Sequence, residues 1–110
     1  MKKLVAVLLM IPYLAHAEFL TGNELYTRLT STAVMDKMYA LAYIVGVYDV
    51  NVHVTVCPRS EQGITAGQVQ DIVTNYLALN PGQRHKNAEL LVRDALRQVW
   101  PCANRNKGSV

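Results

Sequence analysis

The stretch AVMDKMYALAYIVGVYDVNVHVTV, residues 33–56, decides the fold. Met35, Met38, Tyr39, Ala42, Val45, Gly46, Asp49 and Val52 recur at spacings of three and four, the period of a helix. From Met38 to Val47 nearly every residue is apolar, which predicts a helix that is central and surrounded. The second half carries a competing signal. Val50, Val52, Val54 and Val56 alternate with Asn51, His53 and Thr55, and a period of two reads as a half-buried strand. β-Branched residues also lower helix propensity. A lone strand would have no partner elsewhere in the chain. The reading is therefore one helix from about Ala33 to Val54, capped by Ser31 or Thr32, with strand the open alternative over residues 47–56.

Three further helices flank this one. Thr21-Gly22-Asn23-Glu24 fits a capping box ahead of a short helix, Gly22 to Leu29. Thr65-Ala66-Gly67-Gln68 is a second capping box, and Val69, Ile72, Val73, Tyr76 and Leu77 follow as one apolar stripe. Asn80-Pro81-Gly82 stops that helix in a turn. The last helix is predicted from about His85 to Trp100, its apolar face made of Ala88, Leu91, Val92, Ala95, Leu96 and Val99. Glu89 and Arg93 form an (i, i+4) pair of favourable order on its outside. The expected fold is all-α, a small bundle of about four helices, one short and three longer.

Ahead of the bundle, Lys2 and Lys3 precede an apolar run from Leu4 to Leu14 and the small-x-small triplet Ala15-His16-Ala17. This is the layout of a secretory leader, residues 1–17, removed to leave a single domain, 18–110. The apolar run is shorter than the roughly 20 residues a membrane-spanning helix needs, so no membrane anchor is expected after cleavage. The polar tail, 103–110, is expected to be disordered. Loss of Lys2 and Lys3 lowers the formal net charge from +3 to +1. No basic stripe survives, which argues against nucleic acid as a partner.

Export to an oxidising compartment makes Cys57 and Cys102, the two cysteines of the chain, a disulfide. It closes a loop of about 45 residues, worth roughly 4 kcal/mol in the chain-entropy model. Topology agrees. Short connections make successive helices antiparallel, so the second and fourth run the same way and end at one pole. Cys57-Pro58 ends one and Trp100-Pro101-Cys102 ends the other. The competing use of the sulfurs is a nucleophile, Cys57 or Cys102 with His53 or His85, which needs a thiol kept reduced after export.

The remaining polar residues suggest binding rather than chemistry. Gly46 costs about 1 kcal/mol inside a helix and is read as admitting close approach of another helix. Asp49 lies on the same stripe, so it should be partly buried and tied to His53, a tyrosine hydroxyl or a helix N-terminus. One carboxylate makes no acid/base pair. His53 and His85 lack the ligand spacing of a metal site, and no nucleotide loop is present, so neither metal nor cofactor is expected. Asn80, Gln83, Arg84, His85 and Lys86 form a polar, basic turn between rigid helices, the candidate partner-binding segment.

Taken in order, Tyr43-Ile44-Val45-Gly46-Val47-Tyr48-Asp49, Cys57-Pro58, Ile64-Thr65-Ala66-Gly67-Gln68, Tyr76-Leu77 with Asn80-Pro81 and Arg84, and Ala95-Leu96 with Trp100-Pro101-Cys102 resemble the Rap/Tai family of type VI secretion amidase immunity proteins. The resemblance spans about Ala33 to Cys102. Gly46, Asp49, Cys57, Pro58, Trp100, Pro101 and Cys102 match as scaffold residues. It implies a periplasmic helical protein, often a homodimer, with no catalysis of its own. Such a protein binds a peptidoglycan amidase effector and occludes its cysteine–histidine active site. Two other classes compete. A periplasmic acid-stress chaperone would unfold to act at low pH, yet the 8 acidic residues are spread thinly. A small secreted enzyme would need a free thiol.

Overall fold

The structure, a computed structural model, describes residues 19–59 and 63–103. Residues 1–18, which hold the expected leader at 1–17, residues 60–62, and residues 104–110 of the expected disordered tail lie outside the described residues. Among these residues four helices form, α1 (Gly22–Leu29), α2 (Val34–Asn51), α3 (Ala66–Leu79) and α4 (Ala88–Val99), with one 3-10 turn at Pro81–Gln83. Among the described residues there is no strand, only three isolated bridges. The expected bundle of one short and three longer helices, closed by one disulfide, is what folds.

Local chemistry sets the helix starts. The Thr21 hydroxyl accepts from the amide of Glu24 at 3.2 Å and donates to the Glu24 carboxylate at 3.2 Å, so that the carboxylate bonds the hydroxyl rather than the Thr21 amide. At α3 the box is complete. Gln68 N donates to Thr65 Oγ1 at 3.1 Å and Thr65 N to Gln68 Oε1 at 2.8 Å. α2 begins without a side-chain cap. Ser31 instead accepts from Ala33 N and donates to Asp36, which also pairs with Arg28 at 3.1 Å.

Two readings of α2 are corrected. Its helix stops at Asn51 rather than Val54, and the alternating segment that follows is neither helix nor strand. The Asn51 carbonyl accepts the amides of Val54, Thr55 and Val56 at 2.9–3.0 Å. Its side chain donates to Val47 O and accepts from the Thr55 hydroxyl, both at 2.7 Å. One buried asparagine thus satisfies a whole tight hook. His53 sits at φ 63° to turn it. The hook drives Val56 fully into the core while Val50 and Val54 face solvent. Nor is α2 surrounded. Its buried line is Ala40, Ile44, Val47 and Asn51. The line read from the sequence, running through Met35, Met38, Ala42 and Gly46, is the opposite, exposed face.

α4 starts at Ala88, three residues later than expected. Long-range bonds hold the preceding residues out of helical geometry. Gly22 N donates to Lys86 O at 2.8 Å, Asn23 N to Arg84 O at 2.7 Å, and Ala88 N to Leu20 O at 2.7 Å. α1 is thereby docked on the N-terminal end of α4. Gly22 permits this approach, because an added Cβ would lie 2.8 Å from Arg84 O and collide with Leu91.

Cys57 and Cys102 are disulfide-bonded, and Cys57 N also donates to Trp100 O at 2.9 Å. Tyr43 lies beside Glu89 at the start of α4, and Tyr48 packs edge-to-face on Trp100 at its end. α2 and α4 therefore run the same way, as the placement of the cysteines required. One core joins all four helices, with Leu25, Ile44, Leu77, Leu91 and Leu96 fully buried beside Val56, Val73 and Val92. Each such side chain contributes roughly 1.5–3 kcal/mol of transfer free energy, most of it offset by chain entropy.

Candidate functional site

Two surfaces stand out, and neither has the make-up of a reaction centre. Among the described residues no three His, Cys, Asp or Glu side chains gather in a way that could hold a metal. Both sulfurs are bonded to each other, so no thiolate is on hand as a nucleophile.

The first surface is the turn from Asn80 to Lys86. It is held from below. Asn80 Nδ2 donates to Tyr76 O at 2.8 Å, and Lys86 N donates to Gln83 O at 3.0 Å. Arg84 is the anchor. Its Nε donates to Leu77 O at 2.7 Å and an Nη to Ala78 O at 3.4 Å, closing the last turn of α3. Its guanidinium also lies 4.0 Å from the centroid of the Tyr26 ring. A cation over an aromatic face and at a helix C-terminus is favourable on both counts. Arg84 therefore points into the scaffold, while His85 and Lys86 remain exposed and Gln83 is half-buried. With its backbone fixed and its polar tips free, the turn has little ordering entropy left to lose if a partner binds.

The second surface is the outer face of α2, which periodicity alone could not assign. Met35 is 75% exposed, Met38 60%, Tyr39 46% and Val50 76%, and Phe19 beside them 70%. Ala42 and Gly46 lie between them, also exposed. Around Gly46 the surface dips into a shallow hollow of ≈430 Å3, bordered by Phe19, Ala42, Tyr43, Val47, Val50 and Glu89. The expected roles of Gly46 and Asp49 are corrected here. A Cβ on Gly46 would meet nothing within 4 Å, so among the described residues no other helix approaches it. Asp49 is exposed, not buried, and no ion pair to it is found among the described residues. The buried polar residue of α2 is Asn51, 6% exposed. Its signal was present in the sequence, an asparagine where helical spacing gives way to alternation. His53 is exposed on the hook, and among the described residues no ion pair joins it to Asp49.

At the disulfide pole, Pro58 is half-buried, Trp100 ends α4, and Pro101 bridges to Val56. A hollow of ≈610 Å3 opens there between Val54, Thr55, Tyr76, Asp94, Arg97 and Pro101. Burial raises the pKa of Tyr76, and the Asp94 carboxylate raises it further. Tyr43 is raised by burial first, then by Glu89 and Tyr39, against a lowering backbone hydrogen bond at Glu89. The expected Glu89–Arg93 pair is present at 3.6 Å.

The family model described as Rap1a immunity proteins matches residues 21–102, which includes all four helices and both cysteines. No curated protein matches the chain. Among the described residues no helix is long and apolar enough to cross a membrane.

Proposed function

The chain belongs to the Rap1a immunity protein family, and from that premise we propose that it acts in the periplasm against a type VI secreted peptidoglycan amidase. As an immunity protein it serves by binding a toxin effector, not by chemistry of its own. The match across residues 21–102 carries this reading. The amidase target follows from the motif resemblance. The compartment follows from the leader read at residues 1–17 and suits a paired Cys57 and Cys102.

In this reading the Asn80–Lys86 turn enters the amidase cleft. Gln83, His85 and Lys86 supply the polar contacts, and Arg84 keeps the turn in shape through Leu77, Ala78 and Tyr26. The test is protection. Cells that export a cysteine amidase effector encoded beside this chain should lyse, and co-expression of the chain with its leader should prevent lysis. Absence of protection against every neighbouring effector refutes the amidase assignment. Protection that persists when the leader is deleted refutes the periplasmic one.

A further inference from the structure

The geometry points to the hollow over Gly46 as the anchor point of the toxin effector, a seat for a large apolar side chain of the effector with a lysine or arginine beside it. This rests on the proposed entry of the Asn80–Lys86 turn into the effector and names what lies next to that turn. A stable interface takes roughly 800 Å2 from each partner, and a few large side chains seated in desolvated pockets carry most of its affinity. The turn offers no such pocket. Its free tips, Gln83, His85 and Lys86, are polar, and Arg84 is tied to Leu77, Ala78 and Tyr26. The anchor has to come from adjoining surface.

The hollow adjoins the turn. Glu89 on its border stands three residues after Lys86, within about 11 Å along the chain. Phe19, also on the border, precedes Leu20, whose carbonyl accepts the Ala88 amide at 2.7 Å. Gly22 N donates to Lys86 O at 2.8 Å, so one set of backbone bonds positions both surfaces. The polar groups of the lining are already partnered, Asn51 with Val47 and Thr55, and Glu89 with Arg93. What remains open is apolar, walled by Phe19 and Val50, both more than two-thirds exposed. Gly46 keeps it open, because a Cβ there would project into empty space. The cation follows from Asp49. It stands exposed one turn beyond Gly46, with no ion pair among the described residues, and a carboxylate on the rim selects a positive neighbour.

Surface plasmon resonance of the disulfide-bonded chain, residues 18–110, over an immobilised toxin effector tests the assignment, with a cysteine amidase as the first effector tried. Gly46→Arg fills the hollow without a clash inside the fold, and should raise Kd by roughly 30-fold or more with unchanged helical circular dichroism. Phe19→Ser, at an exposed position ahead of α1, should raise it by about tenfold. Asp49→Lys should raise it by about tenfold, chiefly through slower association, an effect that shrinks with added salt. Gly46→Arg binding as tightly as wild type overturns the anchor; if Lys86→Glu still loses binding, the reading of the turn stands without it. Sedimentation without effector supplies the other check. A wild-type dimer that Gly46→Arg splits would show that the hollow seats a second copy, which also overturns the anchor. If the variants behave as described on an effector that is not an amidase, the anchor stands and the amidase reading fails alone. A wild type that binds no effector overturns both.

Discussion

Two of the helical glycines, Gly22 in α1 and Gly46 in α2, should respond to alanine with opposite signs. At Gly22 a new Cβ would sit 2.8 Å from Arg84 O and 3.0 Å from Arg84 Cα, and would collide with Leu91. Two of those contacts are backbone, which cannot swing aside. Either α1 lifts from α4 or the Arg84–Lys86 segment shifts, straining the bonds from Gly22 N to Lys86 O and Asn23 N to Arg84 O. Overpacking of this kind costs about 1–3 kcal/mol, and each strained backbone bond about 1 more. Helix propensity returns up to about 1 kcal/mol. Gly22→Ala should therefore lose about 2 kcal/mol, a fall in Tm of roughly 8–16 °C for a domain of this size. At Gly46 nothing opposes the propensity gain, so Gly46→Ala should stabilise by up to about 1 kcal/mol. Urea unfolding read by far-ultraviolet circular dichroism measures both. It should be run at a protein concentration low enough that self-association does not contribute. A Gly22→Ala variant as stable as wild type would refute the close docking of α1 on the residues before α4. A destabilised Gly46→Ala would mean that α2 has an intramolecular neighbour at that point after all.

Three other perturbations probe the supports of the site. Arg84→Ala removes two carbonyl bonds and the Tyr26 stack, and should cost about 2–3 kcal/mol in urea unfolding; Arg84→Lys should restore less than half of it, since an ammonium cannot span both carbonyls and the ring. Replacing Cys57 and Cys102 together by serine should cost roughly 4 kcal/mol, read as a shift in urea midpoint that wild type reproduces only under reductant. Tyr43 and Tyr76 have pKa values raised above 10.0 in the folded state, so their neutral forms are the ones folding favours. Their contribution is fully present below pH 10 and is lost as pH rises through the raised folded values; Tyr43→Phe should flatten part of that alkaline decline in thermal melts.

How far the sequence could be read depended on whether a signal was local. The α1 and α3 boundaries matched because Thr21 and Thr65 carry their own hydrogen-bond partners three residues on. The cysteine pairing was legible because helix count, turn length and the two Cys-bearing ends gave one consistent topology. The start of α4 was not legible, because amides 61 or more residues away, at Gly22 and Asn23, take the carbonyls of Lys86 and Arg84. The outward face of α2 was not legible either. A helix apolar on all sides contains two lines of helical spacing, and only the neighbours choose between them. They chose Ala40, Ile44, Val47 and Asn51. That choice moved Gly46 and Asp49 from the interior to the surface, and with them the meaning of both residues. Arg84 was grouped with the partner-binding residues of the turn because sequence shows its charge but not Tyr26 beneath it.

The central claim is neutralisation by binding alone, and titration tests it most directly. Purified chain, residues 18–110, would be added stepwise to a fixed amount of the proposed partner, a cysteine amidase effector, with cleavage of peptidoglycan fragments as the readout. Activity should fall linearly and vanish at one chain per amidase. Activity that never falls, or that vanishes at a small fraction of an equivalent as a catalyst would cause, would contradict the account.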